Sequence, residues 1–575
     1  MKTLQLMLAL TALSLASACA GSLFDRPTTP PDDQPMQARA YADFMLARFA
    51  AMTNDPGMAA RHYALALPNA PQSTDVAERA VFSALLAGDY DIAPGMARRA
   101  VETGSTAGLV HLTLAVDAIG RGKPRAAYES IEQSHLTVFN RTIGRNLQAW
   151  TLLEDEGRQA AEGHLKQSLT GDPRLDNITL HMIGFIQMAG REDAGALRTF
   201  EAIWATGARL AAGAEAYAEL LAASGDTKRA RQVLHQFRDE VGYNAALADL
   251  ERRLEAGGPV TPRRLTLREG SALALYLPAS ALMFQTGDDI ASVYFVLALA
   301  LDPNLHQART LLAQALIQGD RPEEALRVLN EVPDSSPFHS GARGQMASIL
   351  QQEGRTQEAL SIASGALAAN PERGLSLQVA DIYRSLERYA EAEAILTRII
   401  EADAAEGRSD WRVIFVRGAA RERQAKFDMA EADLKRALDL QPENATVLNY
   451  LGYSWIDRGI HLEEGFDLIR KAVALEPGSG QIVDSLGWAH YRLGQYEEAV
   501  DYLERAVALE PGDPILNDHL GDAYFKAGRQ KEAGFQWQRA LKLDPSPEER
   551  SRIEEKLKGG IEVNPVSPSA SAAPR

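Results

Sequence analysis

One unit is written three times near the end of this chain. It reads LNYLGYSWIDRGIHLEEGFDLIRKAVALEP at 448–477, VDSLGWAHYRLGQYEEAVDYLERAVALEP at 483–511 and NDHLGDAYFKAGRQKEAGFQWQRALKLDP at 517–545. Pro477, Pro511 and Pro545 close the units, so the period is 34 residues twice over. A unit this short cannot bury a core alone, so it is stable only when neighbours stack on it. The repeat therefore decides the architecture of a 575-residue chain, which is far longer than one hydrophobic core would support.

Leu-Gly early in the unit, alanine at two later positions and proline last, at this period, resemble the tetratricopeptide repeat. The resemblance implies an all-α solenoid, a right-handed superhelix of about fourteen helix-turn-helix repeats. Weaker copies run back from the strong ones. Ala291, Phe295, Ala298 and Pro303 begin a second-half series that continues through Ala325, Ala359, Ala392 and Ala430. In the first half, Ala59, Tyr63, Ala66 and Pro71 mark the opening unit, and Ala93, Ala127, Ala161, Ala196 and Ala230 mark five more. Residues 108–175 fit the pattern least and are expected to hold an irregular helical pair.

The expected division is a degenerate array at 39–256, a hinge at 257–270, a second array at 271–545, a capping helix at 546–560 and a disordered tail at 561–575. The hinge is read from Gly257, Gly258, Pro259, Pro262 and the basic run after them, which cannot continue a helix. Ser546 is suited to cap the last helix, and Gly559 and Gly560 to end it. The tail is Pro, Ser and Ala with almost nothing to pack.

Acidic residues outnumber basic ones, 77 to 60, which argues against nucleic acid or an anionic lipid surface as the main partner and leaves proteins or peptides. The one cysteine, Cys19, excludes an intramolecular disulfide and a cysteine metal cluster. It stands behind Lys2, an apolar run from Leu4 to Leu15 and the small residues Ala16, Ser17 and Ala18. Residues 1–18 thus read as a secretory signal peptide, too short to span a membrane.

The segment also resembles a bacterial lipobox, with Ala16 where leucine, valine or isoleucine is usual. The resemblance implies lipidation of Cys19, and Ala20 in place of aspartate implies the outer membrane. The other reading is ordinary cleavage after Ala18, giving a soluble periplasmic protein. Residues 19–38, polar and proline-rich, form the expected flexible linker, so the membrane is reached through the lipid anchor only.

No catalytic constellation stands out. The eleven histidines contain no HExxH pair, and no glycine-rich loop follows a strand pattern. Gly287, Asp288 and Asp289 read as a solvated turn. His490 reads as a half-buried packing residue, and Glu497 and Glu498 as helix-opening charges that suit the dipole. No enzyme activity, metal or cofactor is expected.

In the repeats this chain resembles, the fifth, ninth and twelfth residues of each unit point into a concave groove. Carried over, these are Asn449, Tyr453 and Ile456, then Asp484, Trp488 and Tyr491, then Asp518, Asp522 and Phe525, with Arg492 and Lys526 one place on. Aromatic and polar residues ranked along one face suit an extended peptide. For Trp488, packing between repeats is an equal alternative, whereas Trp455 and Trp537 read as core. Three aspartates stand where carboxylate-binding relatives carry cations, so basic or neutral segments are the expected ligands.

The strings at 448–459, 484–507 and 517–541 go further. They resemble the C-terminal repeats of proteobacterial outer-membrane lipoproteins that act as adaptors, bringing cell-wall hydrolases to periplasmic carboxy-terminal processing proteases. The resemblance implies a non-catalytic scaffold of that kind. An envelope assembly or polysaccharide-export scaffold is the alternative.

Overall fold

The computed structural model describes residues 36–69, 73–283 and 288–559. The signal peptide, Cys19, the linker up to residue 35, Gly287 and the tail at 561–575 lie outside the described residues. Among the described residues thirty α-helices follow one another, from Met36–Met52 to Pro547–Gly559, without a strand. None of them is long and apolar enough to cross a membrane. Residues 36–38, read from sequence as linker, already belong to the first helix.

The geometry of a pair follows from its small residues. In the last repeat, Asp513 caps the helix Pro514–Lys526 by accepting from the backbone N–H of Ile515 at 2.7 Å. Gly528, at φ +81°, turns the chain into Gln530–Lys542. The glycine of Leu-Gly sits where the two helices touch. A Cβ at Gly521 would stand 2.5 Å from the Trp537 ring, and one at Gly487 2.6 Å from Leu503. Ala499, Ala506, Ala533 and Ala540 are fully buried for the same reason: close helix approach leaves room for a methyl group and no more. Stacked pairs are then tied by arginines. Arg505 donates to the Pro477 carbonyl at 2.6 Å and Arg539 to that of Pro511 at 3.2 Å, so the first two closing prolines are held by the repeats that follow them.

The chain divides into two compact units between Ala342 and Arg343. In the first, residues 108–175 form two regular pairs, Gly108–Gly120 with Pro124–Glu132 and Val138–Asp155 with Arg158–Gln167, rather than an irregular one. Long-range packing of Trp150 and Leu147, both fully buried, compensates for the weak local pattern.

The first helices of this unit, Thr74–Leu86, Gly108–Gly120, Val138–Asp155 and Pro173–Ala189, carry a later helix pair on their shared face. Leu267–Leu282 packs on Val138–Asp155 and Pro173–Ala189, and Asp288–Leu301 on Thr74–Leu86 and Gly108–Gly120. Gly270 allows the approach, since a Cβ there would lie 2.2 Å from Trp150. Tyr294 donates to Asn140 and sets its ring edge-on to Phe139 at 5.4 Å.

The expected hinge at 257–270 takes a different form. Residues 267–270 open the helix Leu267–Leu282 behind a Thr266–Glu269 capping box. The stretch before it is pinned: the backbone N–H of Arg263 donates to Glu219 at 2.9 Å, and Arg264 donates to Asp193 at 2.6 Å. The units divide 72 residues beyond Gly270, at Ala342. Proline and glycine do break the helix, but anchors from distant helices hold the broken segment.

The second unit contains a buried ionic knot. Arg417 and Arg421 both donate to Asp433, at 2.7 and 2.8 Å, and Arg421 and Lys426 donate to Glu393 at 2.9 and 2.7 Å. At its end, Pro547–Gly559 starts behind Ser546, whose hydroxyl accepts from Glu549 N–H at 3.3 Å, and Ile553 is fully buried against Trp537 and its neighbours.

Candidate functional site: the first-helix face of the second unit

The residues expected to form the groove lie on three consecutive first helices, Ala445–Arg458, Gly480–Arg492 and Pro514–Lys526. Most of the charged ones are engaged with the next repeat. Asp457 accepts from Arg492 at 2.9 Å, Asp484 from His519 Nδ1 at 2.9 Å and Asp518 from Arg552 at 3.3 Å. These partners are separated by 35, 35 and 34 residues, so the contacts form a ladder from one first helix to the following one. Lys556 completes it, donating to Asp518 at 2.8 Å and to Asp522 at 2.7 Å, while Trp537 Nε1 donates to Asp522 at 2.9 Å.

The ladder corrects the reading of Asp484, Asp518, Asp522 and Arg492 as residues left over for a ligand. They are intramolecular ties, because a side chain at these positions faces the equivalent helix of its neighbour as well as the groove. Burial works against a charge on His519, yet the Asp484 carboxylate outweighs it and holds the imidazole above its usual value. Tyr453 is also corrected: it is 7% exposed and packs in the core with Ile456, Ile469 and Val483.

Trp488 is half-buried, stacked between Tyr491 at 4.6 Å and His519 at 4.2 Å. Phe525 lies against Trp537, with ring centroids 5.7 Å apart, and Lys526 is half-buried at the end of its helix. His490 packs between Phe466 and Tyr502, as a packing residue should.

Asn449 differs from the others. It is 3% exposed, its Oδ1 meets no donor, and it lines a cavity of about 960 Å³. The cavity runs over first helices earlier in the unit: Tyr389 and Arg423 stand at the turns, Phe415 and Tyr450 form an edge-to-face pair at 5.2 Å, and Glu476 and Glu548 lie at its border. Tyr450 is held neutral, its phenol pushed well above the usual value by burial and by the Glu422 carboxylate. Its neighbours Phe415, Tyr389 and Arg423 escaped the sequence reading, although Phe415 lies 34 residues before Asn449 and so holds the equivalent place one repeat earlier. Glu548 carried no such signal, since the terminal helix lies outside the period. Among the described residues no group of three or more His, Cys, Asp or Glu is placed to hold a metal ion.

Residues 276–545 match the family described as tetratricopeptide repeat. Over that span the chain carries tetratricopeptide repeats. A TPR repeat-containing protein of Pseudomonas aeruginosa is 26% identical over 175 residues, which cover 30% of this chain and 29% of that protein. A tetratricopeptide repeat protein from Parabacteroides merdae aligns with 44% of this chain and 97% of its own, at 15% identity and a TM-score of 0.39. A chain of the APC/C hetero-tetramer Cut9–Hcn1 aligns with 91% of this chain and 96% of its own, at 15% identity and a TM-score of 0.36. Tetratricopeptide arrays present first-helix faces to protein partners, and in the second unit that face holds the cavity.

Proposed function

We propose that this tetratricopeptide protein is a non-catalytic scaffold of the bacterial envelope. It is secreted by residues 1–18, lipidated at Cys19 and held at the periplasmic face of the outer membrane. There it binds protein partners along the first-helix face of its second unit and brings a cell-wall hydrolase to a carboxy-terminal processing protease. Holding both on one chain raises their effective concentration without any chemistry of its own.

The observation that carries the binding reading is Asn449. A buried amide oxygen without a donor, beside the aromatic pair Phe415 and Tyr450, is a place kept for the backbone N–H of a guest. Trp488, Tyr491, Phe525 and Lys526, all half-buried, extend the same succession of helices. The adaptor role itself is supported by the resemblance at 448–459, 484–507 and 517–541.

Crosslinking with mass spectrometry in native envelopes tests the reading. A processing protease and a murein hydrolase should be joined to residues of the second unit; recovery of neither sinks the adaptor role. Recovery of outer-membrane secretion components instead favours the export scaffold. Separately, Cys19→Ala should release the protein from the membrane fraction, and unchanged fractionation refutes lipidation.

A further inference from the structure

The charged residues around the cavity of the second unit do not balance. Three arginines line it, and each is matched. Arg384 donates to Asp381 at 2.8 Å, Arg552 to Asp518 at 3.3 Å, and Arg423 to the Tyr389 hydroxyl at 3.2 Å in the field of Glu387. Five carboxylates line it: Asp381, Glu387, Glu476, Glu548 and Glu549. Glu549 is taken by the terminal helix cap, accepting from the backbone N–H of Ser546 at 2.8 Å. Glu476 and Glu548 remain, exposed and without an ion-pair partner among the described residues.

Glu476 is out of place by two independent criteria. It sits at the C-terminal end of Leu462–Leu475, where the helix dipole disfavours a negative charge. Its equivalent one repeat later, Glu510, accepts from the backbone N–H of Gly480 at 2.8 Å, and Glu476 has no such contact. One carboxylate of the period is thus used to join repeats, while the other is turned over to the cavity.

We infer that the cavity selects an extended peptide segment bearing lysine or arginine, whose cation Glu476 and Glu548 neutralise. An apolar side chain of the segment lies on Phe415 and Tyr450, and a backbone N–H meets Asn449 Oδ1. The expected preference for basic segments is retained, but its site moves from Asp484, Asp518 and Asp522, which the terminal helix and His519 neutralise, to a different pair of acids. The net charge of −17 adds long-range attraction for such a segment. This inference rests on the reading that the cavity receives a peptide.

The test uses the full chain and three labelled peptide amides that share a phenylalanine and a leucine and carry two lysines, two glutamates or two serines. Fluorescence anisotropy should show the lysine peptide binding most tightly, less so as salt is raised. Glu476 and Glu548 are both exposed, so E476Q/E548Q folds, and it should weaken the lysine peptide roughly tenfold and spare the serine peptide. Asn449→Ala should weaken both. If the glutamate peptide binds as well as the lysine peptide, or if E476Q/E548Q changes nothing while Asn449→Ala still weakens binding, the selectivity is overturned and the cavity keeps its role as a peptide site. If no peptide binds, or binding ignores Asn449→Ala in a variant that melts like the parent, the peptide site falls and the selectivity with it.

Discussion

Lys556 Nζ lies 2.8 Å from Asp518 Oδ1, and through that contact the terminal helix closes the last repeat as a further repeat would. The Asp518 side chain is 1% exposed, and the cation beside it offsets the cost of burying a carboxylate there. Lys556→Ala leaves a buried carboxylate facing Asp522 with only Arg552 to offset it. A loss of about 3–5 kcal/mol is expected. Hydrogen exchange should show it as lost protection in 514–559, with the ionic knot around Asp433 unaffected.

Gly270 and Trp150 set the packing of the first unit's extra helix pair. Gly270→Ala puts a methyl group where the indole now lies, at a cost of about 1–3 kcal/mol. Thermal unfolding should fall accordingly. The same substitution at Gly534, where a methyl group would meet nothing within 4 Å, should be neutral or slightly stabilising.

Tyr453 and Trp488 should separate in a way the sequence did not suggest. Tyr453→Ala opens a cavity in the core and should cost about 3 kcal/mol. Trp488→Ala removes a half-buried ring and should cost about 1–2 kcal/mol. Partner binding corrected for folded fraction should respond to Trp488 alone; an equal response to both returns Tyr453 to the groove.

Glu393 links the second unit to pH. Burial opposes its charge, but Lys426, Arg421 and Gln424 outweigh that and hold its carboxyl down at about 2. Because the folded value lies below the unfolded one, about 4.3, the stabilisation is complete above that value and is lost as pH falls toward 2. The parent should therefore lose stability between about pH 5 and pH 2, and Glu393→Gln should flatten that part of the profile.

Ala425 takes the left-handed backbone conformation, φ +58°, at a turn where Gly494 and Gly528 stand in later repeats. Ala425→Gly relieves about 1 kcal/mol of local strain, less the flexibility gained when unfolded. A rise in melting temperature checks it.

The strong repeats were legible because they are local. Leu-Gly, paired alanines and closing proline each report a contact within one helix pair or with the next, and Gly521 against Trp537 or Arg539 on Pro511 realises that rule in space. The groove residues were only partly legible. Position in the period placed Asn449 on the right face, yet the same rule selected Asp484 and Asp518. Nothing in a period distinguishes a side chain that meets a guest from one that meets its own neighbour.

Helix pairs, the 34-residue stacking period and the cap at Ser546 were written in the order of residues, since these depend on residues at most one repeat apart. It took the folded chain to show that 257–266 is pinned through Glu219 and Asp193, that Leu267–Leu282 and Asp288–Leu301 lie on the first helices of their own unit, and that Lys556 takes the acids of the last repeat. The physical reason is the range of the interactions. Stacking is repeated and local, whereas an ion pair or a filled face is made once, between residues whose separation along the chain carries no pattern.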